Sequence, residues 1–157
     1  MVGVIEKRAE SLGISIPEVP EPKASYIPTR RLGNLVFTSG MGPIKDGVRC
    51  YLGRVGEEIS LDDAYRAARL AAANCLAAIK QEISELDMVR SIVKVNGYVR
   101  SAPGFDQQHK VLNGASDLLE QLFAERGKHA RSAIGVSELP FGISVELEMI
   151  VEVANSL

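Results

Sequence analysis

The stretch SLDDAYRAARLAAANCLAAIKQEI, beginning at Ser60, limits what this chain can fold into more than any other. Leu61, Tyr65, Ala68, Ala72, Cys75, Leu76 and Ile79 recur at three- and four-residue steps, the period of one helix face. Ser60 is a good N-cap, and Asp62 and Asp63 suit the positive end of the helix dipole. The alanines add little bulk, so a sheet can approach this helix closely.

Candidate strands lie on both sides of it. Tyr26 to Arg31 and Leu35 to Thr38 flank the tight turn Leu32-Gly33-Asn34 and read as a β-hairpin. Residues 44–58 are polar and punctuated by Gly47, Gly53 and Gly56, which predicts a long loop. Met88 to Arg100 is β-branched and of short period, hence a strand. A second helix is expected from about Phe105 to Glu125, with Val111, Leu112, Ala115, Leu118, Leu119, Leu122 and Phe123 as its apolar stripe. Two further strands follow, separated by Leu139-Pro140-Phe141-Gly142. At the N-terminus, residues 4–12 show helical spacing. Pro17, Pro20 and Pro22 then impose an extended connector. The expectation is an α+β fold of order β-β-α-β-α-β-β, with residues 1–23 as an N-terminal extension to a domain at 24–157. One sheet face has no helix left to cover it, which points to self-association.

Composition narrows the function classes. With 46% hydrophobic residues among 157, the chain has the material for one real core. Its 18 basic and 20 acidic residues balance to −2, which offers no broad positive field for nucleic acid or an anionic membrane. Cys50 and Cys75 do not form a CxxC pair, and His109 and His129 lie far apart, so no metal is expected. Cys75, in an apolar helical context, reads as a buried thiol. No apolar leader precedes the charged residues of the N-terminus, and no apolar run spans a bilayer, so a cytoplasmic location is the default expectation.

The two C-terminal strands carry the chemistry. In the first, Arg131, Ala133, Gly135 and Ser137 share one face. Ser132, Ile134 and Val136 share the other, which suits a helix-covered core. In the second, Ile143, Val145, Leu147, Met149, Val151 and Val153 alternate with Ser144, Glu146, Glu148, Ile150 and Glu152. Two readings fit. The polar positions form a solvated face with an incidental arginine, or Arg131 stands over a small-residue floor as an anion pocket with a carboxylate nearby. Arginine's planar fork matches a carboxylate at two points.

Three segments in order, LGNLVFTSGMGP (32–43), the Arg131-Ser132 strand start and ELPFGISVELEMIVEV (138–153), resemble the RidA/YjgF family of reactive-intermediate deaminases, also labelled endoribonuclease L-PSP. The likeness covers residues 24–153, and the N-terminal extension is closer to a longer YjgF-like subgroup. The resemblance implies a chorismate-mutase-like fold, a mixed sheet backed by two helices, assembled as a homotrimer with a central barrel and clefts between neighbours. It implies hydrolysis of 2-imino acids or their enamine tautomers to 2-keto acids and ammonia, without cofactor. Carried over by position, Arg131 clamps the substrate carboxylate and Glu146 stands by the reacting carbon and its water. Ser39 and the Gly40 N–H flank the acid, Tyr26 covers the cleft from an adjacent chain, and Ala133 lies on the pocket floor. Pro103 stands where the deaminases commonly have Asn, Ala133 where they often have Cys, and Gly135 where they have Glu. The alternative is a non-catalytic trimer that binds small acids or regulatory partners. Ribonuclease activity is disfavoured by the acidic balance and the lack of a His pair.

Overall fold

A computed structural model describes residues 3–19 and 24–154. Pro20 and Pro22 of the expected connector lie outside the described residues. The elements are α1 (Val4–Ser11), β1 (Thr29–Leu32), β2 (Leu35–Thr38), β3 (Ile44–Lys45), β4 (Val48–Arg49), α2 (Leu61–Ile83), β5 (Val89–Arg100), α3 (Gln108–Phe123), β6 (Ala130–Val136) and β7 (Val145–Val153). Five strands form a mixed sheet in the order β1-β2-β7-β5-β6. The β5–β6 pair is parallel, with α3 as its crossover, and the other neighbours are antiparallel.

Local chemistry places the main elements as expected. Ser60 Oγ accepts from the Asp63 N–H, 3.1 Å, and starts α2. Gly33, at φ 61°, makes the β1–β2 turn, a conformation that costs glycine little. Ala68, Ala71, Ala72, Cys75 and Leu76 are fully buried. They fill the space between α2, the sheet and α3. The helices also touch through backbone: a Cβ on Gly114 would meet the Arg69 amide nitrogen at 3.2 Å, so any larger residue there separates α2 from α3. Every member of the expected α3 stripe is buried.

Residues 44–58 are not a plain loop. Asp46 and Gly47, both at positive φ (51° and 76°), turn the β3–β4 hairpin. Asp-Gly is the residue pair such a turn favours, and a two-residue strand on either side is too short to show a period. Downstream, Val55 is fully buried and exchanges backbone hydrogen bonds with Arg100 and Ala102.

The N-terminal helix joins the same core, with Ile5 and Ala9 buried. Asp87 accepts from the Val4 and Ile5 amides at 2.6 and 2.9 Å, while Glu6 accepts from the Leu86 amide and pairs with Lys80. The two carboxylates cap each other's segments. The sheet face away from the helices carries Phe37, Lys94, Tyr98, Ile134, Glu146, Glu148 and Ile150, and Ile134 is 46% exposed there. Among the described residues, no helix is long and apolar enough to cross a membrane.

Candidate functional site

A cleft of about 520 Å³ opens where β2 leaves the sheet beside β7. Between the Phe37–Ile150 pair and the Met41–Leu147 bridge, the β2 side has one more residue than β7. That bulge turns Ser39 and Gly40 out of the strand's alternation. Its ends are pinned. Thr38 Oγ1 accepts from the Met149 amide at 3.0 Å, and Met41 and Leu147 exchange two backbone bonds at 2.7 and 2.9 Å. Ser39 Oγ donates to the Ile27 carbonyl, 2.6 Å, which holds the segment leading from Tyr26 against the cleft. Ser39, Gly40 and Glu146, three residues expected at the site, line it, and Tyr26 lines it from the same chain rather than from an adjacent one as expected.

Glu146 projects from β7 on the open side of the sheet and packs directly on Gly40. Among the described residues its carboxyl group has no ion-pair or hydrogen-bond partner, and the Gly40 N–H likewise donates to none. Burial raises the Glu146 pKa first, and repulsion from Glu148 adds to it. Glu148 is occupied differently: Tyr98 Oη and Asn96 Nδ2 donate to it at 3.0 and 3.1 Å. One carboxylate is thus tied down and its neighbour is left for a ligand.

The opposite wall holds residues the sequence reading did not single out. Asn74, fully buried on α2, donates through Nδ2 to the carbonyls of Gly42 (2.8 Å) and Ile44 (2.9 Å) and anchors the hairpin. Its signal was legible as a lone amide in an apolar helical run. Ile44 pairs with Arg49, whose guanidinium lies 3.6 Å from the centroid of the Phe141 ring. Phe141 itself sits at φ 59° in a short 3-10 turn, Pro140–Gly142, which keeps its ring 64% exposed at the cleft mouth. Arg100 donates to the Gly142 carbonyl, 3.5 Å, and pairs with Glu138, which Arg54 also grips. The two guanidiniums lower the Glu138 pKa, the Arg54 hydrogen bond first.

Arg131 lies elsewhere. It pairs with Val95 on β5, so Arg131, Ala133 and Gly135 face the helices, and Ser132, Ile134 and Val136 face outward. This reverses the expected assignment. Side-chain alternation defines two faces without saying which one is covered. Here α3 approaches the edge strand too closely for large residues, since a Cβ on Gly135 would meet Gln108 Nε2 at 2.8 Å. The Arg131 guanidinium runs along α3, donating to Asn113 Oδ1 (2.9 Å), Ser116 Oγ (3.1 Å) and the His109 carbonyl (3.2 Å). Ser116 also contacts His129 Nε2 at 2.9 Å, and His129 Nδ1 contacts the Gly127 carbonyl at 2.6 Å. All of Arg131's acceptors are neutral, so its charge has no carboxylate partner among the described residues. Pro103 itself supplies no side-chain donor, and Asn113 on α3 places an amide beside the arginine. Within one chain, Arg131 and Glu146 stand on opposite faces of the sheet with β5 between their strands.

The layered architecture, a mixed sheet backed by α2 and α3, is of the α+β class. The chain belongs to the YjgF family: the model described as "YjgF/chorismate_mutase-like, putative endoribonuclease" matches residues 6–151, a span that includes most of α1. Protein TCP17 of Trypanosoma cruzi is 36% identical over 154 residues, 98% of this chain and 96% of that one. The crystal structure of Atu1372 from Agrobacterium tumefaciens superposes with a TM-score of 0.91 at 41% identity, covering 96% of this chain and 93% of that one. A putative endoribonuclease from Shewanella oneidensis does so at 0.93 and 30% identity, covering 96% and 100%.

Proposed function

We infer that the chain hydrolyses 2-imino acids to 2-keto acids and ammonia, in clefts shared between subunits of a homotrimer. The observation that carries this reading is Glu146, half-buried, unpaired among the described residues and lodged against Gly40 in an open cleft. The cleft lacks one requirement, a cation for the substrate's α-carboxylate at the Glu146 end. Arg131, uncompensated by any carboxylate among the described residues and placed at the sheet's edge strand, supplies it from a neighbour once edges meet. The exposed apolar side chains of the otherwise mixed outer sheet face, Phe37 and Ile134, favour such assembly.

In this mechanism the imine carbon is already electrophilic, so positioning does most of the work. Glu146 takes a proton from water as the water oxygen bonds to C2 and the C=N π pair moves to nitrogen, and Glu146 then returns that proton to the nitrogen. The Gly40 N–H holds the acid, and Ser39, whose hydroxyl and amide are spent on the Ile27 and Pro28 carbonyls, keeps the strand exit in place. The tetrahedral carbinolamine then collapses: Glu146 relays the C2 hydroxyl proton to the nitrogen, the C–N bond breaks as the C2 oxygen becomes the keto oxygen, and ammonia leaves. A raised carboxyl pKa suits a group that must both accept and return a proton. The test is loss of 2-iminobutyrate, generated by an amino-acid oxidase and followed by semicarbazide trapping. Faster imine loss with the protein supports the reading, and a rate equal to the protein-free control removes it.

A second reading is a trimer that binds small acids without turning them over. The inward engagement of Arg131 by Asn113, Ser116 and the His109 carbonyl favours it. Binding of 2-ketobutyrate without accelerated imine loss would select it. The endoribonuclease of the family description is a poorer fit to this cleft, whose described lining has one carboxylate, Glu146, and no histidine to pair with it as acid and base.

A further inference from the structure

The cleft has two chemically distinct ends. At one, Glu146 meets Gly40. At the other, Arg49 lies against Phe141. No ion pair joins Arg49 to Glu146, and Arg49 has no carboxylate partner among the described residues. Between them the lining is apolar: Met41, Ile44 and Ile143. A lone guanidinium in such surroundings is a strong anion site, because arginine is weakly hydrated and offers a planar fork.

Arg49 is also held in place from both sides. Asn74 anchors Ile44, its cross-strand partner, to α2. On the other side the Gly53 amide donates to the Gly142 carbonyl at 2.9 Å, fixing the turn that presents Phe141. The aromatic face orients the guanidinium and leaves its edge N–H groups available. This is a preformed contact rather than a surface arginine sampling many rotamers.

We propose that Arg49 selects substrates with a second acidic group, so that the cleft takes 2-imino diacids in preference to 2-imino monoacids of the same length. This rests on the reading of the cleft as an imino-acid site. The α-carboxylate and C2 lie at the Glu146 end, the methylenes pass over Met41, Ile44 and Ile143, and the distal carboxylate meets Arg49. Phe141 is the positioning residue behind it.

The experiment compares matched pairs on wild type and Arg49→Met. Turnover is followed with 2-iminoglutarate and 2-iminopentanoate, made from glutamate and norvaline by amino-acid oxidases. Binding is followed calorimetrically with 2-oxoglutarate and 2-oxopentanoate. Wild type favours the diacid in both assays, and Arg49→Met lowers the diacid-to-monoacid ratio by about tenfold or more, the size of one charge-assisted contact. Phe141→Leu lowers the ratio in the same direction by less. An unchanged ratio in Arg49→Met, or a wild type that favours the monoacid, overturns the proposal. If wild type turns over neither imine, the hydrolase reading fails, and the keto-acid pair alone decides the role of Arg49. Binding of neither keto acid overturns the proposal as well.

Discussion

Glu146 packs so closely on Gly40 that a Cβ at position 40 would stand 2.8 Å from its carboxyl carbon. The glycine is there for space, since its backbone is outside the left-handed region. Gly40→Ala therefore leaves the fold intact and moves the carboxylate, which is the far end of a flexible side chain. The expected result is a stability change within about 1 kcal/mol and a fall in imine turnover of at least about tenfold, because small displacements of a reacting group are costly. Thermal unfolding and semicarbazide trapping on the same preparation check it.

The raised pKa of Glu146 sets a sign for stability. The folded state holds this proton more tightly than the unfolded chain, so the stability it contributes is present in acid and is lost as pH rises through the raised value. Ionised at neutral pH, Glu146 is a burden that burial and Glu148 impose. Glu146→Gln is expected to raise the melting temperature at pH 7, to lose that advantage below the ordinary carboxylate range, and to abolish turnover. Melting curves across pH 3 to 8 measure the first two.

Asn74, itself fully buried, holds the hairpin through two hydrogen bonds, one buried and one partly buried. Asn74→Ala takes the side-chain donor from the Ile44 carbonyl and leaves Gly42 with the Ile44 amide alone, and is expected to cost about 1–3 kcal/mol, the penalty of a buried acceptor left unmade. The urea midpoint reports the cost. Weaker 2-oxoglutarate binding reports the loosened Arg49 wall.

Much of this was legible in the sequence, and the exceptions share a cause. The helix from Ser60, the glycine turn at Gly33 and the alternation from Val145 to Val153 each follow from a local signal: a cap, a positive φ and a two-residue period. Three of the expected site residues, Ser39, Gly40 and Glu146, converge on one cleft, joined by Tyr26 of the same chain, which was expected to come from a neighbour. The face of Arg131 was not legible. Ile134 and Val136 look like core, but coverage depends on where α3 lands, and Gly135 matters only once Gln108 is seen against it. Arg49 was missed because a two-residue strand carries no period and its partner, Phe141, is far away in sequence.

The N-terminal helix gives a separate test. Asp87→Ala removes the acceptor for the first amides of α1 and is expected to cost about 1–2 kcal/mol, as loss of a helix cap does. Hydrogen exchange should quicken in Val4–Ser11 before it does in β5 or β7.

The most direct measurement uses two dead variants together. Arg131→Ala and Glu146→Gln are purified alone and after co-expression, and imine hydrolysis is assayed. A site that takes Arg131 from one subunit and Glu146 from the next is rebuilt in mixed trimers, so randomly mixed subunits should recover about a quarter of wild-type activity. Each variant alone should show none. Mixed trimers as inactive as their parents, beside an active wild type, would contradict a cleft shared between subunits.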